Sequence, residues 1–164
     1  LEKGYLQLIN IANLMNEICE IKFVMYGYGD SSWLKIIAEK LNLTNLSFNQ
    51  FSNNIENEIN KFDLFLLPSH REGLSVSIQE CQAMGVPVIT TNVRGCQDLI
   101  KDGYNGFIYD QYNEKQAANL IERVYNMSEY EYELLSNNSF NYAVQNFDRI
   151  KLSSEICNTI IKYA

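Results

Sequence analysis

The feature that most constrains the fold is a regular alternation of short apolar runs with longer amphipathic stretches. Runs rich in Val, Ile, Leu and Phe predict strands, and they occur at residues 21–26, 46–50, 63–67, 86–90 and 106–109. Strands that alternate with helices favour a parallel sheet covered by helices on both faces. The run at 63–67 is almost continuously apolar, which is typical of a central strand buried on both sides. We therefore expect an α/β domain.

The stretches between these runs have the apolar spacing that is typical of helices. From Tyr5 to Cys19, apolar residues recur every three or four positions, so a helix is predicted from about residue 4 to residue 19. A chain of 164 residues that is 46% hydrophobic can bury one substantial core, so residues 1–164 are expected to form a single domain. Further helices are predicted at residues 32–41, 54–61, 76–84, 97–101, 113–126, 129–145 and 148–163.

The composition argues against several classes of function. A net charge of -7 and a pI near 4.7 disfavour broad binding to nucleic acid or anionic lipid, which requires an electropositive surface. The sequence shows no signal peptide and no apolar run of about 18 residues, so a soluble, cytoplasmic domain is expected. Four dispersed cysteines form no C-x-x-C pair, which predicts reduced, mostly buried thiols rather than a zinc site. They are Cys19, Cys81, Cys96 and Cys157.

Ligands of an open parallel sheet usually bind at the carboxyl ends of its strands. The loops to consider are therefore residues 27–30, 49–54, 68–75 and 91–96. Gly27 and Gly29 lie in the first loop and are candidate ligand contacts. They do not complete a dinucleotide fingerprint, because position 32 is Ser and no acidic residue stands at the usual ribose position about 20 residues on, so hydride chemistry is disfavoured.

The segment from Ser69 to Glu80 is the most informative part of the sequence. Its letters are S-H-R-E-G-L-S-V-S-I-Q-E, and it leads from a strand through a polar loop into a helix. Glu72 and Glu80 can face one elongated ligand, and the N–H groups from Leu74 to Ser77 at the helix start favour a phosphate or diphosphate. Gly73 allows the backbone to approach such a ligand. A nucleotide sugar carries both the anionic group and the hydroxyl donors that this arrangement requires.

Glu72, Glu80 and the C-Q-A-M-G-V-P-V-I segment that follows resemble the signature of glycosyltransferase family 4, the retaining enzymes of GT-B fold. T-N-V-R-G-C-Q-D-L-I at 91–100 and D-G-Y-N-G-F at 102–107 are similar to the next loop and the "dg-nG" turn of that family. Glu2-Lys3-Gly4 resembles the end of its "R-x-x-x-x-K-G" segment, and Gly27-Tyr28-Gly29 its "G-x-G" loop. The resemblance covers nearly the whole chain. It departs where Cys81 replaces the usual alanine.

The resemblance implies a Rossmann-like parallel sheet with flanking helices and a helical C-terminus, the C-terminal half of a GT-B fold. The N-terminal acceptor domain and the first strand would lie outside this chain, which would then be inactive alone. Glu72 would hold the hydroxyls of the donor sugar, Glu80 the ribose, and Lys3 would neutralise the diphosphate leaving group. The other implied contacts with the donor are Gly27, Gly29, Gly73, Leu74, Ser75 and Val76.

The implied reaction transfers a hexose-type unit from a nucleoside diphosphate sugar, with UDP as the expected nucleotide, to a glycan or lipid-linked acceptor. The subgroup that Glu72 and its neighbours resemble builds bacterial capsule or lipopolysaccharide. No metal and no cofactor beyond the co-substrate is implied, and no nucleic-acid partner. Peripheral contact of the whole enzyme with the inner face of the cell membrane is left open. So are two alternatives, a nucleotide-sugar epimerase of similar fold and a non-catalytic nucleotide-sugar-binding module.

Other residues with chemical potential have simpler interpretations. His70 is the only histidine, and because no nucleophile signature accompanies it, we interpret it as a loop residue near the pocket and not as a general base. Arg71 and Arg94 fit a phosphate contact and a solvated surface equally well. The tyrosines of the C-terminal helical stretches are interpreted as packing residues. They are Tyr125, Tyr130, Tyr132 and Tyr142.

Overall fold

The computed structural model describes residues 2–27, 29–50, 52 and 54–147. Helices and strands alternate along the first two thirds of this part of the chain, and two long helices end it. The helices are α1 (Tyr5–Leu14), α2 (Ser32–Lys40), α3 (Ile55–Ile59), α4 (Val76–Ala83), α5 (Glu114–Tyr125) and α6 (Glu129–Asn146). The strands are β1 (Phe23–Gly27), β2 (Leu46–Gln50), β3 (Phe65–Leu67), β4 (Val88–Thr91) and β5 (Gly106–Tyr109).

All the strand pairs among the described residues are parallel, but they form two sheets rather than one. One sheet pairs β1 with β2, and the other has the order β3-β4-β5. The predicted central strand, β3, pairs only with β4 in this part of the chain. Its residues Phe65 and Leu66 are half-buried, and only Leu67 is buried. β3 is therefore less enclosed than its continuously apolar sequence indicates.

The core lies on both faces of the strands. Successive side chains of a strand point to opposite faces, and in β4 Ile89 packs in one apolar cluster while Val88 packs in another. The Ile89 cluster joins β1 and β5 to α1, α5 and α6, whereas the Val88 cluster contains Ile78 and Cys81 of α4. The predicted arrangement, parallel strands covered by helices on both faces, is confirmed. Because Phe23 of β1 belongs to the Ile89 cluster, the two sheets share one layer of helices.

Helix α1 ends five residues earlier than predicted because Asn16, just after it, forms hydrogen bonds with the loop before β2. The Asn16 amide donates to Asn42 O over 3.2 Å, and its oxygen accepts from Thr44 N over 2.9 Å. These bonds tie a turn to the loop before β2. Cys19 is consequently exposed instead of lying on the buried face.

The C-terminal half of the chain follows the prediction closely. The predicted short helix at 97–101 is a 3-10 turn at Gln97–Leu99, and the helix predicted at 148–163 lies outside the described residues. Of the tyrosines interpreted as packing residues, Tyr132 donates to Asp63 O over 2.9 Å and Tyr142 packs edge-on against Phe147. Tyr125 and Tyr130 are exposed, so the packing interpretation was wrong for these two. Within the described ranges, none of the helices combines the length and hydropathy needed to cross a bilayer.

Candidate functional site

The loop between β3 and α4 brings backbone N–H groups to the carboxyl end of the sheet. Ser75 caps α4, since its hydroxyl accepts from Ile78 N over 3.4 Å. The N–H of Ser75 donates to Gly95 O over 3.1 Å, so it is not free for a ligand. The N–H groups of Gly73, Leu74, Val76 and Ser77 have no hydrogen-bond partner among the described residues. A phosphate at this turn would therefore meet those groups and not that of Ser75.

Two of the predicted site residues, Lys3 and Glu72, form an ion pair across 69 residues of sequence. The Lys3 ammonium contacts Glu72 Oε1, and the same oxygen accepts from the Ser69 hydroxyl over 2.9 Å. The Lys3 side chain is about half exposed, whereas that of Glu72 is only 10% exposed. The pair places a cation and a carboxylate beside Gly73 and Leu74, whose N–H groups have no partner in the described part of the chain.

A close approach of two backbone segments produces this ion pair. Gly4 has φ 69°, and a Cβ built on it would lie 1.8 Å from Pro68 O. The N–H of His70 donates to Glu2 O over 2.7 Å, a second contact between the backbone before α1 and the loop after β3. Only a glycine permits this contact, because any side chain would overlap the carbonyl of Pro68. Lys3 is thus carried to Glu72 by the backbone that precedes α1.

A third segment packs against the same loop. Gly95 has φ 82°, and a Cβ on it would lie 2.3 Å from Gly73 O and 2.7 Å from Glu72 O. The loop that follows β4 therefore lies directly beneath the backbone of Glu72 and Gly73. Thr91, at the end of β4, adds a hydrogen bond of 2.6 Å from its hydroxyl to Ser69 O.

His70 is held as a neighbour of the site. Its ring stacks on Tyr112 with 4.7 Å between centroids, and its Nδ1 lies 3.0 Å from the Gln111 amide nitrogen. With the Gln7 amide oriented to match its neighbours, its nitrogen lies 3.1 Å from His70 Nε2 and 2.9 Å from Pro68 O. Each ring nitrogen thus lies beside a side-chain amide, and since a neutral imidazole has one acceptor nitrogen, one of the two amides can donate to the ring. This arrangement agrees with the interpretation of His70 as a loop residue near the pocket.

A pocket lies at the carboxyl ends of β1 and β2. Gly27 and Gly29 line it together with aromatic and amide side chains, namely Tyr5, Trp33, Phe48, Asn49 and Gln50. Tyr5 begins α1 two positions after Lys3, so this pocket and the Lys3–Glu72 pair lie along the same edge of the fold. Flat apolar rings beside amide groups can accept a planar heterocycle that also forms hydrogen bonds.

Glu80 lies within α4 with an exposed side chain and has no hydrogen-bond or ion-pair partner among the described residues. The adjacent Cys81 is buried, and burial raises the pKa of its thiol to about 12, so it is an uncharged packing residue. Arg71 and Arg94 are exposed and likewise have no partner in the described part of the chain. Among the residues that the structure describes, no group of three or more His, Cys, Asp or Glu is arranged to hold a metal ion.

Sequence reasoning missed three residues that shape the site: Ser69, Thr91 and Gly95. Ser69 and Thr91 are polar residues that follow or end a strand, and both are fully buried, so each needs a hydrogen-bond partner. The sequence shows their position but not their burial. Gly95 lies in the predicted ligand loop at 91–96, but its close contact with Gly73 depends on how two loops pack, and spacing alone does not reveal that.

The sequence model of the family described as "Glycosyl transferases group 1" matches residues 1–141. The chain belongs to this family. Its fold is that of the C-terminal domain of GT-B glycosyltransferases, as the resemblance implied. As a group 1 glycosyltransferase domain, it presents the loop of Glu72 and the start of α4 after β3, and the pocket of Gly27 and Gly29 at the carboxyl ends of β1 and β2.

Named relatives of this group 1 glycosyltransferase domain include bacterial enzymes of polysaccharide synthesis. The capsular polysaccharide biosynthesis glycosyltransferase CapM of Staphylococcus aureus is 43% identical over 67 residues, 41% of this chain and 18% of CapM. An Escherichia coli enzyme named UDP-Gal:alpha-D-GlcNAc-diphosphoundecaprenol alpha-1,3-galactosyltransferase is 31% identical over 104 residues, 63% of this chain and 26% of that enzyme. The matched segments thus span about a quarter or less of the length of these two relatives.

Among solved structures, that of HepE from Anabaena in complex with UDP-glucose superimposes with a TM-score of 0.85. The two sequences are 22% identical, and the match covers 98% of this chain and 46% of HepE. At this identity the likeness establishes the fold.

Proposed function

We propose that this chain is the donor-binding domain of a retaining glycosyltransferase of family 4. It would transfer a sugar from a nucleoside diphosphate sugar, with UDP as the nucleotide, to a glycan or lipid-linked acceptor during synthesis of a bacterial surface polysaccharide. The observation that carries the proposal is the meeting of Lys3 and Glu72 beside the free N–H groups at the start of α4. A cation, a carboxylate and a cluster of N–H donors together match a ligand that is anionic at one point and hydroxylated next to it.

The chemistry assigns a separate task to each group. The N–H groups of Gly73, Leu74 and Val76 would bind the diphosphate, and the Lys3 ammonium would stabilise the negative charge that grows on it as the glycosidic bond breaks. An ammonium has three donors, so Lys3 can contact a phosphate and Glu72 at once. Glu72 would accept hydrogen bonds from sugar hydroxyls.

The nucleoside would occupy the other end of the same edge. Glu80, whose carboxylate has no partner in the described part of the chain, would accept hydrogen bonds from the ribose hydroxyls. The base would enter the pocket lined by Gly27, Gly29 and the aromatic and amide side chains around them. The names of HepE bound to UDP-glucose and of the E. coli UDP-Gal galactosyltransferase support the choice of UDP.

The acceptor and the cellular location belong to the same proposal. The acceptor would bind to an N-terminal domain outside this chain, and the short share of each relative that the chain spans supports this division. The diphosphoundecaprenol in the name of the E. coli relative supports a lipid-linked acceptor, and the name of CapM supports capsule synthesis. We propose that the reaction takes place in the cytoplasm at the inner face of the cell membrane. The chain alone would then bind donor without transferring it.

Calorimetric titration of this chain with UDP, GDP, ADP and UDP-glucose tests the proposal. We expect UDP to bind more tightly than GDP and ADP. Glu80→Ala should lower the affinities for UDP and for UDP-glucose by about tenfold each, because both ligands carry the ribose. Glu72→Gln should lower the affinity for UDP-glucose by about tenfold and leave the affinity for UDP nearly unchanged, because only the donor sugar offers hydroxyls to that carboxylate.

Glu133→Ala is the matched control for Glu80→Ala, since Glu133 is another exposed glutamate within a helix, α6, far along the chain from the site. It should alter neither affinity. Absence of binding by every nucleotide, or equal loss of UDP affinity in all three variants, would contradict the proposal. In a longer protein that carries this chain, release of an isomerised sugar without an acceptor would identify the epimerase alternative. Donor binding without any turnover would identify the non-catalytic alternative.

A further inference from the structure

The two carboxylate oxygens of Glu72 have different surroundings. Oε1 accepts hydrogen bonds from both the Lys3 ammonium and the Ser69 hydroxyl, the latter over 2.9 Å. Oε2 has no hydrogen-bond partner among the described residues. A carboxylate can accept about four hydrogen bonds, so the unoccupied capacity of Glu72 is concentrated on one oxygen.

The two donors to Oε1 differ in how firmly they are fixed. Lys3 carries its charge on a long side chain that is about half exposed. Ser69 is fully buried, and its hydroxyl is one bond from Cβ. The Ser69 carbonyl accepts from the Thr91 hydroxyl over 2.6 Å, and the next residue, His70, donates its N–H to Glu2 O over 2.7 Å. The backbone that carries the Ser69 hydroxyl is therefore held on both sides.

We propose that Ser69 is a positioning residue for Glu72. Its hydroxyl fixes Oε1, so that Oε2 is presented to a hydroxyl of the donor sugar, and Thr91 holds the backbone of Ser69 in place. Lys3 has a second task in the proposed reaction, at the diphosphate. Ser69 is then the donor that keeps the Glu72 carboxylate oriented when the Lys3 ammonium turns toward phosphate. The inference rests on the proposed function, because it assigns the sugar to Glu72.

The test compares the affinity of this chain for UDP and for UDP-glucose in four proteins: wild type, Ser69→Ala, Glu72→Gln and the double variant. Ser69→Ala should lower the affinity for UDP-glucose by about tenfold and change the affinity for UDP by less than about twofold, because only the sugar contact depends on Glu72. In the Glu72→Gln background, Ser69→Ala should cause little further loss, since a residue that acts through Glu72 is not additive with it.

Ser139→Ala provides the matched control. Ser139 is a fully buried serine in α6 whose hydroxyl donates to Val86 O over 3.2 Å, so the variant removes the same atom from a buried position outside the site. It should leave the ratio of the two affinities unchanged. If Ser69→Ala does not fold, as judged by circular dichroism and thermal unfolding, Thr91→Val serves instead. It removes the bond to Ser69 O with little change of shape, and it should lower the UDP-glucose affinity by a few fold without affecting UDP.

Each outcome has a distinct meaning. Equal weakening of UDP and UDP-glucose by Ser69→Ala, or losses that add to those of Glu72→Gln, would show a general structural role and overturn the inference. UDP-glucose binding that responds to Glu72→Gln but not to Ser69→Ala would remove the inference and leave the proposed function standing. If neither UDP nor UDP-glucose binds the wild-type chain, the proposed function with UDP fails, and the assignment of Ser69 fails with it.

Discussion

Gly4 determines at the level of one residue whether the Lys3 cation reaches Glu72. Its missing side chain lets the backbone before α1 approach Pro68 so closely that a Cβ would lie 1.8 Å from the carbonyl oxygen. The backbone of Gly4 also lies at φ 69°, a conformation that other residues adopt only with strain. Two independent constraints therefore favour glycine at this position.

Gly4→Ala is expected to lower the free energy of unfolding by about 2–4 kcal/mol, because it combines backbone strain with an overlap that must push two segments apart. Denaturant unfolding followed by circular dichroism measures this. Gly73→Ala is the control, since a Cβ there has open space and φ lies outside the left-handed region, so it should change stability by less than about 0.5 kcal/mol. Similar values for the two variants would contradict the close contact at Pro68.

How far the site could be predicted differs between residues. Glu72, the start of α4 and the loop at 91–96 follow from the sequence, because a strand, a glycine-containing loop and a helix occur in order. That Lys3 would lie beside Glu72 was implied only by the family resemblance, since nothing in the local sequence brings residues 69 positions apart together. The contacts of Ser69 and Gly95 could not be predicted, because they depend on loop packing.

At the scale of elements, α6 is defined at its start by a capping box. The Ser128 hydroxyl accepts from Glu131 N over 3.3 Å, and the Glu131 carboxylate accepts from Ser128 N over 2.8 Å. Hydrogen bonds from the Ser128 hydroxyl and N–H hold the pKa of Glu131 below its ordinary value. A carboxyl group with a lowered pKa in the folded state stabilises the protein above its unfolded pKa, and this contribution disappears as the pH falls through the folded value.

Ser128→Ala should therefore destabilise the chain by about 1 kcal/mol at neutral pH, through loss of the cap. Wild type should lose stability between pH 6 and pH 3, because protonation of Glu131 removes its stabilising hydrogen bonds. Glu131→Gln lacks this carboxyl group, so its free energy of unfolding should fall less over the same range. Urea unfolding at both pH values checks this. If the stability of Glu131→Gln depended on pH as that of the wild type does, the role of Glu131 in the capping box would be contradicted.

The boundaries of elements were predictable wherever local sequence decides them. β2 and β5 have the predicted residues, and α4, α5 and α6 agree to within one residue at each end. α1 differs because Asn16 forms hydrogen bonds with the loop at residues 42–44, a tertiary interaction that helical spacing does not reveal. The single predicted sheet became two for a comparable reason: apolar runs identify strands, but they do not identify which strands pair.

For the whole molecule, the division into two sheets has a specific consequence. β1 and β3 each pair on one side only in the described part of the chain, and Phe23 of β1 shares a core cluster with Leu66 of β3. Two parallel edges under one helical layer can accept a further strand between them. We propose that a strand from polypeptide preceding residue 1 occupies this position, as the predicted division of the domain implies.

In a longer protein that carries this chain, the amides of β1 and β3 should then exchange hydrogen more slowly than in the chain alone, because a new partner covers their open edges. Mass spectrometry or NMR after transfer to deuterated water measures the exchange. The outer edge of β2 serves as the internal reference, since it faces away from β1 and should be unaffected. Unchanged protection of β1 and β3 would refute the added strand.

Lys3 contacts Glu72 but lies before the first helix, which matters when a shortened form of the domain is produced. Among the described residues, regular structure begins at Tyr5, so a recombinant protein that starts at Tyr5 would retain every described helix and strand. Its circular dichroism spectrum should therefore resemble that of the uncut chain. Yet it would lack the ammonium beside Glu72 and the close contact of Gly4 with Pro68. Integrity of the fold is therefore a poor guide to integrity of the site in this chain.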